Sequence, residues 1–202
     1  MLRIYGSLPS RVFRCLWMLE ECGVAYEHVR IPFADVSGPA YRALNPNARV
    51  PTLIDGDLVL WESLAINLYL AQRYGGSLWP AGEPARAHTL QWTMFAVAEI
   101  EPHTETLLRN RVLLPPSERS AEAAARAERE LVRPLGILDG FLADHRFLTG
   151  PAFAAADLNL ASVLSSALLS GMPLDRFAEV AGWLQACLKR PYPYPFFSRR
   201  LT

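Results

Sequence analysis

Apolar residues follow two different spacings in the first third of the chain. Short apolar runs bounded by turn residues predict strands, whereas apolar residues three or four positions apart predict amphipathic helices. These spacings predict strands over residues 2–6, 25–31, 52–54 and 58–60, and helices over residues 10–23, 38–46 and 62–74. The two strands that flank the first helix should be parallel. The predicted order is therefore β-α-β-α-β-β-α.

A stretch rich in glycine and proline over residues 75–84 predicts a linker. Beyond it the apolar spacing is helical throughout, over residues 84–108, 117–145, 155–171 and 174–190. Pro102 should kink the first of these helices, and the third is apolar on nearly every face, which is typical of a buried central helix. We therefore expect an α/β domain over residues 1–76 and an all-helical domain over residues 84–202.

The composition of the 202-residue chain narrows the possible partners. Apolar residues make up 51% and charged residues 20%, which is typical of a compact globular protein. The 20 basic residues balance the 20 acidic ones, so charge gives no reason to expect nucleic acid or an anionic membrane surface as a partner. No apolar run reaches the ~20 residues that span a bilayer. Because the first residues predict a strand, we expect no signal peptide.

Cysteine and histidine usage indicates a reducing compartment and no metal site. The three cysteines, Cys15, Cys22 and Cys187, form no CxxC pair, which favours the cytoplasm. Cys15 and Cys22 lie seven residues apart and therefore share one face of the predicted helix, where buried thiols explain them best. The four histidines show no metal-ligand spacing, so we expect no metal.

The segment VPTLIDGDLVLWES combines three signals. Pro51 cannot donate to a strand ladder, so it is tolerated at the first residue of a strand. Asp55-Gly56 is a strong two-residue hairpin signal, and Glu62-Ser63 opens the next helix. The segment is therefore a proline-led hairpin that ends at a helix N-terminus, and the backbone beside the proline is left for another partner.

Three segments carry a resemblance that covers essentially the whole chain. They are YGSLPSRVFRCLWMLEECGVAYEHV (5–29), YRALNPNARVPTLIDGDLVLWESLAINLYLAQRY (41–74) and FLTGPAFAAADLNLASVL (147–164). Together they resemble the cytosolic glutathione S-transferase family, in its serine-type, bacterial or theta-like form. The resemblance implies an α/β thioredoxin-like N-terminal domain followed by an all-α helical bundle, with glutathione as co-substrate and no metal.

The resemblance implies a glutathione site around Val50 and Glu62. A cis bond between Val50 and Pro51 would turn the Val50 backbone outward, to pair with the cysteinyl backbone of the ligand as a short antiparallel strand. Glu62 and Ser63 would hold the ammonium and the carboxylate of the γ-glutamyl group at a helix N-terminus. Arg49 would lie near the glycyl carboxylate. The plainer alternatives are a proline kept for folding alone, a simple helix cap and a solvated arginine.

Ser10 stands where serine-type members of the family carry the active serine, with Arg11 beside it. Its hydroxyl would donate to the sulfur of glutathione and stabilise the thiolate, which is the nucleophilic form. Ser10 is also a natural N-cap, Ser7 in the same loop is a rival for the activating role, and some members use a tyrosine near the strand, here Tyr5. Thiol-reducing members carry a cysteine at this place, so Ser10 argues against that mechanism.

One capping residue in the helical domain is also interpreted through the resemblance. Asp157 matches the aspartate with which the family begins its buried helix, where it accepts hydrogen bonds from backbone amides. The Ser or Thr that usually completes this capping box is replaced by Ala154. The sequence therefore predicts half of the box and does not say what replaces the missing hydroxyl.

The position of the second-substrate pocket is left open by the sequence. One face of the helix from residue 84 carries Trp92, Phe95, Glu99 and His103. In the family, one face of this helix lines the pocket and another forms the dimer interface, and the sequence does not distinguish them. The terminal PYPYPFF could close the pocket as a lid, but packing against the bundle is the favoured interpretation.

The function implied by the resemblance is transfer of glutathione to a small hydrophobic electrophile by a cytoplasmic homodimer. An isomerase or a reductive dehalogenase of the same fold would use the same thiolate. The alternative to an enzyme is a non-catalytic glutathione-binding or scaffold protein of the same fold. A membrane-inserting, chloride-channel-like form is disfavoured, because no suitable apolar segment is present.

Overall fold

The structure is a computed structural model that describes residues 1–190, and these residues form two compact units. The first comprises residues 1–79 and the second residues 80–190. The fold class predicted from the sequence is confirmed, because a thioredoxin-like unit is followed by a helical one. The PYPYPFF segment, for which the sequence leaves a lid and a packing role open, lies outside the described residues.

Residues 1–79 contain a mixed four-stranded sheet and three α-helices. In chain order the elements are β1 (Leu2–Tyr5), α1 (Val12–Cys22), β2 (Tyr26–Val29), α2 (Pro39–Arg42), β3 (Thr52–Asp55), β4 (Leu58–Trp61) and α3 (Ser63–Tyr74). The strand order in the sheet is β2-β1-β3-β4. As expected from the helix between them, β1 and β2 are parallel, whereas β3 is antiparallel to both β1 and β4.

The strands β3 and β4 form the predicted hairpin, but its loop is displaced by one residue from the sequence signal. Asp55 pairs with Leu58, so the two-residue loop is Gly56-Asp57 and Asp55 remains in the strand. Gly56 has a φ of +59°, a left-handed conformation that glycine adopts without steric cost. The position of the glycine therefore determines where the chain reverses.

The helices α1 and α3 pack against each other, and α1 turns its two cysteines toward α3. The Cys15 thiol donates to the Ser63 carbonyl oxygen (3.4 Å), and the Cys22 thiol donates to the Leu70 carbonyl oxygen (3.7 Å). Burial raises the pKa of both thiols, that of Cys22 to about 11. Both cysteines are therefore held as neutral thiols. Cys15 is buried as predicted, whereas Cys22 is only half-buried.

Residues 80–190 form a helical unit. Its α-helices are α4 (Glu83–Phe95), α5 (Glu101–Leu108), α6 (Ala121–Leu142), α7 (Ala155–Leu169) and α8 (Ala178–Leu188). The single helix predicted over residues 84–108 is interrupted, because a π-helical segment, Ala96–Ile100, joins α4 to α5. Pro102 is the second residue of α5 and has no N–H to donate to the preceding turn. The wider π-helical turn lies where that hydrogen bond is lost.

The helix α7 is the buried helix that the sequence predicts, and all its residues up to Ser165 are buried. Asp157 accepts hydrogen bonds from the Ala154 N–H (3.0 Å), the Leu148 N–H (3.0 Å) and the indole N–H of Trp183 (2.9 Å). Burial raises the pKa of Asp157 to about 6, although these hydrogen bonds act in the opposite direction. The carboxylate thus joins α7 to the preceding loop and to α8, and its bond with the Ala154 N–H is the half of the capping box that the sequence predicts.

The helix α8 receives its N-terminal cap from another helix. Phe177 occupies the N-cap position and has no side-chain acceptor to offer. Asp139, on α6, accepts hydrogen bonds from the backbone N–H groups of Glu179 (3.0 Å) and Val180 (3.1 Å). A carboxylate from α6 therefore satisfies two of the amides that a helix leaves open at its start.

Candidate functional site

The pairing register brings three separate parts of the first unit to one end of the sheet. Tyr5 at the end of β1 lies opposite Thr52 at the start of β3, and Thr52 lies opposite Trp61 at the end of β4. The loop after β1, the residues before β3 and the first residues of α3 therefore meet at this end. These are the three places where the sequence predicts functional residues.

Gly6 is the point at which the loop after β1 approaches the residues before β3. Its φ is +142°, and a Cβ built on it would lie 3.0 Å from the Cβ of Val50 and 3.2 Å from the Cβ of Val12. A side chain at this position would therefore collide with both neighbours in a backbone conformation that favours glycine. The absence of a side chain lets the loop, Val50 and the start of α1 lie close together.

Ser10 lies two residues before the first residue of α1. The sequence predicts a helix that starts at Ser10, but Arg11 occupies the N-cap position and the helix starts at Val12. The Ser10 hydroxyl oxygen accepts a hydrogen bond from the Val12 N–H (3.2 Å), so it still satisfies one of the open amides. Within residues 1–190 the hydroxyl hydrogen has no acceptor, and it remains available to an anion at the helix N-terminus.

Ser7 and Tyr5, the two alternatives to Ser10, are differently placed. The Ser7 hydroxyl donates to the carbonyl oxygen of Ile31 (2.7 Å) and so ties the loop to the chain that follows β2. Tyr5 lies in the ladder of β1, paired with Val29 on one side and Thr52 on the other. The Ser7 hydroxyl hydrogen is thus already used inside the protein, unlike that of Ser10.

Val50 and Pro51 are joined by a cis peptide bond, as the resemblance predicts. A second cis bond, between Leu8 and Pro9, is present in the loop after β1 and has no counterpart among the predictions. Val50 lies outside the β3 ladder, and its backbone N–H and C=O make no hydrogen bond with another of residues 1–190. These two groups are therefore able to pair with an extended ligand backbone. Arg49, which precedes them, is exposed.

A buried hydrogen-bond network lies behind Val50 and Pro51, and sequence reasoning missed it. The Tyr41 hydroxyl donates to the Arg49 carbonyl oxygen (2.9 Å) and lies 2.8 Å from the Thr52 hydroxyl. The Asn45 side-chain amide donates to the same carbonyl oxygen (2.7 Å) and to the Thr52 hydroxyl (3.3 Å). The local signal in this part of the sequence is Asn45-Pro46, which predicts the end of a short helix.

Glu62 and Ser63 begin α3 with an uncapped first turn. Glu62 occupies the N-cap position with φ +74° and ψ 105°, a conformation that costs a non-glycine residue of order 1–3 kcal/mol. Ser63, a typical N-cap residue, is instead the first helical residue. No side chain caps the helix, so the amides of its first turn are open to a carboxylate. Glu62 itself is exposed.

Individual side chains of α4 and of the π-helical segment that follows it contact α6. The ring of Trp92 lies edge-on to Phe95 (5.4 Å between centroids) and to Phe141 (4.9 Å). Glu99 forms an ion pair with Arg133. The predicted face of aromatic and acidic residues is therefore occupied, at these positions, by contacts within the helical unit.

Another face of α4 and the π-helical segment carries exposed apolar side chains. Leu90, Met94 and Val97 are 48%, 55% and 40% exposed. Their spacing of four and three residues places them in one row along the helix. An exposed apolar row of this kind is typical of an interaction surface.

The described part of the chain shows no metal or membrane feature. Within residues 1–190, no three His, Cys, Asp or Glu side chains come together as ligands for a metal ion. None of the helices in that part has both the length and the apolar character needed to cross a bilayer.

Two family models match the chain. The model described as "Glutathione S-transferase, N-terminal domain" matches residues 1–72. The model described as "Glutathione S-transferase, C-terminal domain" matches residues 96–191. The two matches fall on the thioredoxin-like and the helical part of the chain, respectively.

Individual proteins are similar over nearly their full length. The chain is 33% identical to "Glutathione S-transferase 3" of Zea mays, over 94% of this chain and 90% of that protein. It is 30% identical to "Glutathione S-transferase GstB" of Escherichia coli strain K12, over 95% of each. A crystal structure of a theta class glutathione S-transferase from Xanthomonas axonopodis pv. citri, with glutathione bound, gives a TM-score of 0.85 and 35% identity, over 94% of this chain and 93% of that one.

Proposed function

The chain belongs to the glutathione S-transferase family, and we propose that it binds glutathione at the end of the sheet described above and ionises its thiol for transfer to a small hydrophobic electrophile. The observation that carries this proposal is the coincidence of three open groups at one place. They are the unpaired backbone of Val50, the uncapped first turn of α3 and the hydroxyl hydrogen of Ser10. The related Xanthomonas protein, whose structure has glutathione bound, supports it.

Each part of glutathione has a chemically matched group in this arrangement. The cysteinyl backbone would pair with the N–H and C=O of Val50 beside Pro51, as a short antiparallel strand. The γ-glutamyl carboxylate would bind the open amides of α3 and the Ser63 hydroxyl, and the γ-glutamyl ammonium would pair with Glu62. Arg49, exposed next to Val50, would meet the glycyl carboxylate.

Ionisation of the thiol is assigned to the loop before α1. A hydrogen bond from Ser10 to the sulfur, the positive end of α1 and the guanidinium of Arg11 would each favour the thiolate over the thiol. Lowering the pKa of a thiol by about two units takes ~2.7 kcal/mol, which one charge-assisted hydrogen bond and a helix N-terminus can supply. Ser10 acts as a hydrogen-bond donor in this mechanism, and the sulfur of glutathione is the nucleophile.

The test of the site is the variant Glu62→Ala. Removing the carboxylate leaves the ligand ammonium without its partner, so glutathione should bind about 30-fold more weakly, which corresponds to ~2 kcal/mol. Isothermal titration calorimetry of glutathione gives the dissociation constant. Glu27→Ala is the matched control, because Glu27 is an exposed glutamate on β2, outside the proposed site. Equal affinity in the two variants would contradict the proposed placement of the γ-glutamyl group.

We also propose that the protein is a homodimer. The exposed row formed by Leu90, Met94 and Val97 needs an apolar partner, and a second copy with two-fold symmetry would supply the same surface. Light scattering at micromolar concentration should give about twice the chain mass of 22.5 kDa. A mass close to that of one chain would contradict the proposal.

A further inference from the structure

The network behind Val50 has one consistent arrangement of hydrogen atoms. Arg49 offers only a carbonyl oxygen, so the Tyr41 hydroxyl must donate to it. Tyr41 then has no hydrogen left for Thr52, and the Thr52 hydroxyl must donate to Tyr41. The amide of Asn45 supplies its two hydrogens to the Arg49 carbonyl and to Thr52. Every donor of the four groups is therefore used, in a fixed direction.

The network is closed off from water and cannot easily rearrange. Tyr41, Asn45 and Thr52 are 4%, 1% and 0% exposed. Burial raises the pKa of Tyr41, so the phenol keeps the hydrogen that it donates. The Asn45 carbonyl oxygen is also occupied, because it accepts from the Asn47 N–H (3.0 Å). Loss of one buried donor would leave another group unpaired, which makes the network rigid.

The two groups that the network holds lie on either side of Val50 and Pro51. The Arg49 carbonyl comes immediately before them and the Thr52 side chain immediately after, while the Val50 backbone receives no hydrogen bond within residues 1–190. We propose that Tyr41 and Asn45 are positioning residues for glutathione, which fix the Val50 backbone in place for the cysteinyl backbone of the ligand. This inference rests on the proposed function, because it concerns the same site.

The physical reason is that the two hydrogen bonds between Val50 and the ligand backbone depend on how the Val50 backbone is placed. An N–H and a C=O on one residue pair with a ligand backbone only when both point along the ladder, and errors of a few tenths of an ångström or some ten degrees weaken both bonds together. The Val50 side chain lies close to Gly6, and the network holds the residues that flank Val50 and Pro51 in sequence. Without the network, the binding free energy would have to include the cost of ordering this segment.

The test is the variant Tyr41→Phe, which removes one hydroxyl and retains the ring. We expect the dissociation constant of glutathione and its KM to rise about 10-fold. The kcat and the apparent pKa of the bound thiol should stay close to those of the wild type, because Ser10 belongs to a different loop. Calorimetry, steady-state kinetics and the thiolate absorbance of the complex against pH give these quantities.

The matched control is Tyr69→Phe. The Tyr69 hydroxyl donates to Asp55 (2.7 Å), at the end of β3 that lies away from Val50. The control therefore removes the same chemical group from a contact with the same strand, but leaves the Val50 segment unchanged. Affinity should therefore be unchanged in the control. Thr52→Val, which keeps the branched shape and removes the hydroxyl, should weaken binding in the same direction by about 3-fold. It also provides the test if Tyr41→Phe does not fold.

A modified ligand separates positioning from a general loss of stability. A glutathione analogue that is methylated on the cysteinyl nitrogen cannot donate to the Val50 carbonyl. If the network acts through that bond, Tyr41→Phe should weaken the analogue by less than 3-fold, so the two changes should not multiply. Fully multiplicative losses, or equal affinities for glutathione in wild type and Tyr41→Phe, would overturn the inference. Failure of the wild type to bind glutathione at all would instead overturn the proposed function.

Discussion

Replacing Asp157 by alanine is expected to lower the free energy of unfolding by about 4 kcal/mol. The change leaves three buried donors without an acceptor, namely the N–H groups of Leu148 and Ala154 and the indole N–H of Trp183. It also removes the carboxylate from the N-terminus of α7, the central buried helix. Chemical denaturation followed by circular dichroism measures this loss.

Asp139→Ala is the matched control for this prediction. Asp139 also accepts two backbone hydrogen bonds at a helix start, but it is only half-buried and water can replace it. Its loss should cost about 1 kcal/mol. A similar cost for both variants would show that the burial of the Asp157 network has no special effect on stability.

The ionisation of Asp157 should also make the free energy of unfolding depend on pH. Because burial raises its pKa to about 6, above the usual value of 3.8, the folded protein binds more protons than the unfolded chain between these two values. The contribution of this group to stability should therefore fall as the pH rises from about 4 to about 6, and stay constant above that range. Asp157→Asn, which does not ionise, should lack this slope.

Replacing Ser10 by alanine is expected to reduce turnover about 100-fold, with glutathione affinity nearly unchanged. If the hydroxyl hydrogen of Ser10 stabilises the thiolate, its removal should raise the apparent pKa of bound glutathione, so that less thiolate is present at neutral pH. The Val12 N–H, which donates to the Ser10 hydroxyl oxygen, would donate to water in the variant. The free energy of unfolding should therefore fall only slightly. The ultraviolet absorbance of the bound thiolate against pH measures the shift.

Ser7→Ala is the control for Ser10, since both residues lie in the loop after β1. The Ser7 hydroxyl is engaged with the Ile31 carbonyl, so its loss should cost about 1 kcal/mol of stability and leave the thiol pKa unchanged. A pKa shift in Ser7→Ala and none in Ser10→Ala would transfer the activating role to Ser7. No shift in either variant would leave Arg11 and the amides of α1 as the stabilising groups.

The elements that carry the site could be predicted because their signals are local. Short stretches of sequence indicate the alternation of strand and helix, the glycine of the hairpin and the motif from Asn45 to Ser63. The cis bond at Pro51 was predicted through the resemblance and is present. The register of the strands then explains why residues far apart in sequence lie at the same end of the sheet. The roles of Ser10, Val50 and Glu62 remain predictions.

The features that could not be predicted depend on side-chain contacts that no local sequence pattern specifies. No spacing rule indicates that Tyr41 and Asn45 converge on the Arg49 carbonyl, because their bonds form only when the chain folds back between α2 and β3. The bond from Trp183 to Asp157 has no local signal either, because the two residues are 26 positions apart. The π-helical segment lies where the helix continues although Pro102 has no N–H to donate. Its own sequence, AVAEI, has ordinary helical propensity and gives no signal of it.

The cap that α6 places on α8 has a consequence for the order of folding. The helix α8 has 11 residues, a length at which an isolated helix is marginal in water, and it has no cap of its own. The carboxylate of Asp139 reaches it from 40 residues earlier in the chain, so the loop must close before the bond contributes. A contact between residues this far apart raises the contact order of the protein. We expect it to form late in folding, because the loop must close first. Because α8 also packs on α6 and α7, both of which precede it in the chain, we expect it to become ordered only after these two helices are in place.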